Sequence, residues 1–144
     1  MIHKWFKPTS GSLKCNVDTT CYLEDNNYCV GACIKDNNGR FVQAFAKKLE
    51  GTSSIAEAEA LGVLEVLQWT HNTRYGVIQI ETDCLQVVQG LNNKRRNDTE
   101  FGSIIEECRR LLVLNLNCKA SHIQRQANRV THELAEATRF IASV

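Results

Sequence analysis

Apolar and polar residues alternate strictly from residue 13 to residue 18. Leu13, Cys15 and Val17 fall on one side, and Lys14, Asn16 and Asp18 on the other. A period of two predicts a strand with one buried face. A second strand is predicted over 28–35. Asp36-Asn37-Asn38-Gly39 follows it as a turn signal, because Asn and Gly tolerate positive φ. A third strand is predicted over 41–49, so the first three strands should form an antiparallel meander. At residue 54 the period changes. Ala56, Ala60, Val63, Leu64 and Leu67 recur at helical spacing up to residue 70, with Gly76 beyond the end. Then come a strand over 77–82, a short helix over 85–91, a polar basic loop over 92–99 and a helix over 102–114. A strand over 116–123 and a terminal helix over 128–142 complete the order βββαβααβα. A strand returning after a long helix usually lies parallel to its predecessor. The expected architecture is therefore α/β: a five-stranded mixed sheet, three antiparallel strands then two parallel, flanked by helices. Residues 1–12 hold the only proline, Pro8, and a Thr-Ser-Gly-Ser run, and read as a lead-in or linker; 13–144 form the domain.

Composition narrows the class. A chain of 144 residues with 43% hydrophobic and 23% charged residues suits one globular domain. Seventeen basic residues face sixteen acidic ones, so net charge alone does not point to nucleic acid. Basic residues cluster locally at Lys47-Lys48, Lys94-Arg95-Arg96, Arg109-Arg110 and the Arg125/Arg129 pair, each taken alone a solvated surface. The seven cysteines are odd in number and several lie in apolar strands, which predicts reduced, buried thiols. Cys29 and Cys33 share a strand face, but no second pair accompanies them, so no zinc site is expected. No apolar run approaches the ~20 residues of a membrane span. The opening Met1-Ile2-His3-Lys4 lacks a hydrophobic signal core, so an intracellular protein, nuclear or cytoplasmic rather than secreted, is expected.

The candidate chemistry lies in three acids at element ends. Asp18 closes the first strand, Asp83 follows the strand over 77–82, and Glu57 opens the helix that begins near Ser54. Carboxylates from separate elements that meet at one spot make a site for hard divalent cations. Each acid also has a structural reading. Asp18 could turn the chain at a strand end. Ser54-x-x-Glu57 is a capping box, and Asp83 could be the N-cap of the helix near Leu85. Glu59, two residues past Glu57, is expected on a different helix face. His122 and His132 bracket the start of the last helix; each could equally be an ordinary histidine making one hydrogen bond.

Five short motifs in order give the chain a family resemblance. They are Trp5-x-x-Pro8-x-x-Gly11-x-x-Lys14-x-Asn16-x-Asp18, Gly31-Ala32-Cys33-Ile34-Lys35-Asp36-x-x-Gly39, Ala56-Glu57-Ala58-Glu59-Ala60-Leu61, Glu81-Thr82-Asp83, and Asn128-Arg129-Val130-Thr131-His132-Glu133-Leu134-Ala135. Over residues 5–142 the chain resembles the ribonuclease H family, in the form found in plant retroelement-derived proteins. The resemblance implies the ribonuclease H-like fold, with the same element order. It matches Asp18, Glu57 and Asp83 to metal ligands and His132 to the place of a fourth acid. His122 corresponds to a loop histidine that helps the attacking water or product release, a task suited to a group titrating near ~6.5. Imidazole at His132 suits borderline ions better than Mg²⁺. Thr19 stands where the family usually has a glycine close to the RNA strand. A β-branched residue there would crowd that approach. Cys84 replaces a serine and is expected to pack rather than react. Lys94, Arg95 and Arg96 lie where a basic protrusion would grip substrate, and Asn128 would cap the last helix and orient its loop.

The function implied is a metal-dependent endonuclease that hydrolyses the RNA strand of RNA–DNA hybrids. Two Mg²⁺ or Mn²⁺ ions about 4 Å apart would serve the scissile phosphate. The partner is hybrid nucleic acid, with no membrane involvement, and the domain can belong to a longer retroelement-derived protein. The alternative is a catalytically weak or inactive nucleic-acid-binding module on the same fold. Thr19 and His132 support that alternative; three intact acidic positions oppose it.

Overall fold

The computed structural model describes residues 12–51, 54–73, 77–93, 99–114 and 118–124. Along them run β1 (Leu13–Tyr22), β2 (Asn27–Lys35), β3 (Phe41–Glu50), α1 (Ile55–Thr73), β4 (Ile78–Thr82), α2 (Leu85–Asn92), α3 (Glu100–Leu114) and β5 (Cys118–His122). This is the expected order as far as β5. The terminal helix expected over 128–142 and nearly all of the lead-in lie outside the described residues.

One mixed sheet holds the strands in the order β3-β2-β1-β4-β5. β1, β2 and β3 pair antiparallel, while β1–β4 and β4–β5 pair parallel. The β2–β3 hairpin turns where Asn and Gly predicted it. Asp36 Oδ1 accepts from the Asn38 and Arg40 amides at 2.9 and 2.8 Å, and Gly39 takes φ 77°. That positive φ is open to glycine at little cost.

β1 is longer than expected, and Asp18 lies inside it rather than at its end. Antiparallel pairing with β2 runs on to Tyr22↔Asn27, whereas parallel pairing with β4 stops at Val17↔Thr82. Thr19, Thr20 and Tyr22 are β-branched or aromatic and extend the strand past the acid.

In β1 up to Val17 and in β4 the two sheet faces differ as the alternation dictates, whereas β2 is buried on both. Cys15, Val17, Val30, Ile34 and Ile80 are fully buried and belong to one core with Ala60, Val63 and Val66 of α1. Ile105, Cys108 and Leu111 of α3 join the same core. Each large aliphatic side chain buried there contributes about 1.5–3 kcal/mol. Phe45 stacks on Trp69 at 5.0 Å, and Lys47 reaches Glu65 at 3.1 Å, which fastens the β3 edge to α1. The other face carries Lys14, Asn16, Gln79, Glu81, Lys119 and Ser121.

Candidate metal centre

Two of the acids owe their proximity to the sheet register. Asp18 is the first β1 residue past the end of the parallel β1–β4 pairing, and Asp83 is the first residue past β4. Both therefore stand at the carboxyl end of the parallel β1–β4 pairing, the edge where α/β sheets place their ligands. Thr82, fully buried, accepts from the Cys84 amide through Oγ1 at 3.1 Å. That bond spans Asp83 and holds its backbone. The N-cap of α2 is Cys84, with no side-chain capping bond, so the Asp83 carboxylate is not spent on capping.

The third acid comes from α1, and it is Glu59. One carboxylate oxygen from each of Asp18, Glu59 and Asp83 lies within 4.8 Å of the others. Asp18 is 3% exposed and Glu59 7%, with Asp83 half-buried. Like charges gathered at that range repel one another. A cation among them offsets that cost.

Glu57 is not a member of this group, which corrects the expectation for it. Its amide donates to Ser54 Oγ at 3.2 Å, so Glu57 occupies the capping-box position that formed its structural reading. At about 100° per residue, Glu57 and Glu59 stand about 200° apart around the helix. Ala56-Glu57-Ala58-Glu59-Ala60 presents the same local motif in two frames, which hides the choice. The phase of the apolar stripe reveals it. Four, seven and eleven residues past Glu59 lie Val63, Val66 and Thr70, all buried; past Glu57 lie Leu61 and Leu64, half-buried, and Gln68, exposed. Thr82 was also missed, since an isolated threonine before an acid carries no signal of its own.

The remaining candidates are spread more widely. His122 ends β5 opposite Thr82, and the Ile123 amide donates to the Thr82 carbonyl at 3.0 Å. The histidine is thus exposed on the same sheet edge as Asp83 but is not part of the carboxylate group. Thr19 is 6% exposed, and a β carbon on Gly62 would lie 2.1 Å from its Oγ1. Its side chain therefore packs under α1, and the crowding expected of it at the substrate surface does not come from that side chain. His132, Lys94, Arg95, Arg96 and Asn128 lie outside the described residues.

All seven cysteines are free thiols. Burial pushes Cys118 up to about 11 and Cys108 up to about 12, and drives Cys15 higher still with help from neighbouring Cys118. Cys84, half-buried beside Asp83, is also raised, chiefly by desolvation. These thiols stay protonated and inert near neutrality. Three carboxylates from three elements form an all-oxygen donor set. Such a set fits a hard ion such as Mg²⁺ or Mn²⁺ rather than zinc.

An acidic site at the carboxyl edge of this mixed sheet defines a ribonuclease H-like protein. The model of the reverse transcriptase-like family matches residues 16–138, and the chain belongs to that family. No curated protein matches it in sequence. Solved structures do in fold. Ribonuclease H1 from the halophilic archaeon Halobacterium salinarum NRC-1 superposes with a TM-score of 0.78 at 18% identity, over 92% of this chain and 100% of that one. LC11-RNase H1, isolated from compost by a metagenomic approach, was solved with an RNA/DNA hybrid. It gives 0.75 at 14% identity, over 87% and 94% of the two chains. A foamy viral protease–reverse transcriptase in complex with RNA/DNA hybrid gives 0.69 at 14% identity, over 92% of this chain and 20% of that one.

Proposed function

We propose that the protein is a divalent-metal-dependent endonuclease that cleaves the RNA strand of RNA–DNA hybrids. The observation that carries this reading is the convergence of Asp18, Glu59 and Asp83, two of them buried, within 4.8 Å. Nothing in folding requires three like charges to gather in a desolvated corner, whereas a cation site does. Bound Mg²⁺ or Mn²⁺, in a pair, would supply water activation and charge stabilisation at the scissile phosphate. Asp18, Glu59 and Asp83 would hold the ions, each supplying carboxylate oxygen. His122, exposed on the same edge, would assist the attacking water or the departing product. His132 would add a fourth ligand. Hybrid-bound neighbours support the substrate class, and the foamy viral chain supports placement within a longer retroelement-type protein.

The test is a labelled RNA–DNA hybrid incubated with Mg²⁺ or Mn²⁺, with Asp18→Asn run beside the wild type. Metal-dependent cleavage that Asp18→Asn abolishes is the expected result. Binding without cleavage would overturn the reading in favour of a binding module. Duplex DNA, duplex RNA and single-stranded RNA as competitors define the substrate class.

A further inference from the structure

The polar face of the sheet carries a row of lysines that the acidic site does not explain. Lys14 of β1 pairs directly with Lys35 of β2. On its other side Lys14 pairs with Gln79, which pairs in turn with Lys119 of β5. Directly paired residues share a sheet face, so Lys35, Lys14, Gln79 and Lys119 form one line across four strands. Neighbours in that line are about 4.8 Å apart. Lys14 and Lys119 are exposed and Lys35 is half-buried. The Gln79 amide donates to Ser121 Oγ at 2.9 Å, so it is turned along the strands and brings no charge into the row. Glu81, one step toward the acidic site between Asn16 and Ser121, is the nearest acid by register.

Three other basic side chains are treated differently. Lys47 is matched by Glu65, Arg109 by Glu106 and Arg110 by Glu107, while Lys14, Lys35 and Lys119 have no ion-pair partner among the described residues. Like charges placed directly opposite on a sheet destabilise it. A polyanion laid across them reverses the sign of that interaction.

We propose that Lys35, Lys14 and Lys119 form a phosphate-backbone track that holds the nucleic acid at a distance from the acidic centre. Asp18 lies four residue steps beyond Lys14 on β1, which is about 13 Å along the strand. At roughly 3.4 Å of duplex axis per phosphate in each strand, the track meets the backbone about four steps from the position held at the acids. This rests on the proposed nuclease reading for its choice of polyanion. It supplies positioning and affinity but no chemistry.

The experiment compares the wild type with the triple variant Lys14→Gln, Lys35→Gln, Lys119→Gln in binding a fluorescein-labelled RNA–DNA hybrid. Binding is measured in chelator, so no cleavage intervenes, across a salt series. Three lost contacts should lower the slope of log Kd against log salt by about 2.7, with about tenfold or greater weakening at 0.1 M salt. A triple Lys→Arg variant should bind as the wild type does. Unchanged Kd and slope in the glutamine variant overturn the proposal. If that variant fails to fold, Lys14→Gln and Lys119→Gln, both at exposed positions, carry the same measurement singly. Cleavage by the wild type is scored separately. Lysine-dependent binding without cleavage would leave the track standing and sink the nuclease reading.

Discussion

Gly62 of α1 is cut away where Thr19 of β1 needs space: a β carbon at Gly62 would stand 2.1 Å from the Thr19 hydroxyl. That missing methyl lets α1 lie close to β1 one turn past Glu59, and so helps set where Glu59 meets Asp18. Gly62→Ala should destabilise by about 1–3 kcal/mol through overpacking. The loss should be smaller in a Thr19→Ala background, since the two sites share the clash. Urea denaturation of the four proteins in the cycle reads it directly; additive losses would refute the contact.

Glu57 and Glu59 offer a paired test of the site. Glu59→Gln should cut metal-dependent cleavage by more than about 100-fold, beyond what an outer-shell partner costs. Glu57→Gln should leave the rate within a few-fold. Steady-state cleavage rates for the two variants decide it, and equal losses would return Glu57 to the site.

Metal removal has a stability signature independent of turnover. Without divalent ions, Asp18→Asn should melt at or above the wild-type temperature, because it deletes a buried charge from a repelling trio. Mg²⁺ or Mn²⁺ at about a hundred times its Kd should stabilise the wild type by about 2.7 kcal/mol and the variant far less. Thermal melts with and without metal provide the comparison.

His132 bears on metal choice. His132→Asp should raise activity in Mg²⁺ relative to Mn²⁺, since a carboxylate suits the harder ion. An unchanged Mn²⁺/Mg²⁺ rate ratio would remove His132 from the ligand set.

The buried thiols set an alkaline limit. Cys118 and Cys108 are raised from an ordinary value of 9.0 to about 11 and about 12 because burial penalises the thiolate. The folded state thus holds these protons more tightly than the unfolded chain. Their contribution to stability is whole below pH 9.0 and is lost as pH climbs toward 11–12. Urea midpoints should fall between pH 8 and pH 10.5, and fall less steeply in Cys118→Val.

The strands, the helices and the order βββαβααβ were legible in the sequence as far as β5, because each element writes its own period into nearby residues. The change from period two to helical spacing at residue 54 needed no partner to be seen. Asp18 and Asp83 were legible as site candidates for a related reason: each stands next to an apolar run that had to be a strand. The third ligand was not. Glu57 and Glu59 share the same local neighbours, and only the packing of Gly62, Val63 and Val66 against the sheet decided which of them turned inward. The reach of β1 past Asp18 and the lysine row were equally invisible, because both depend on which residues stand opposite one another across strands. Local pattern determines the elements; register and helix phase, set by burial between elements far apart in the chain, determine which side chains meet.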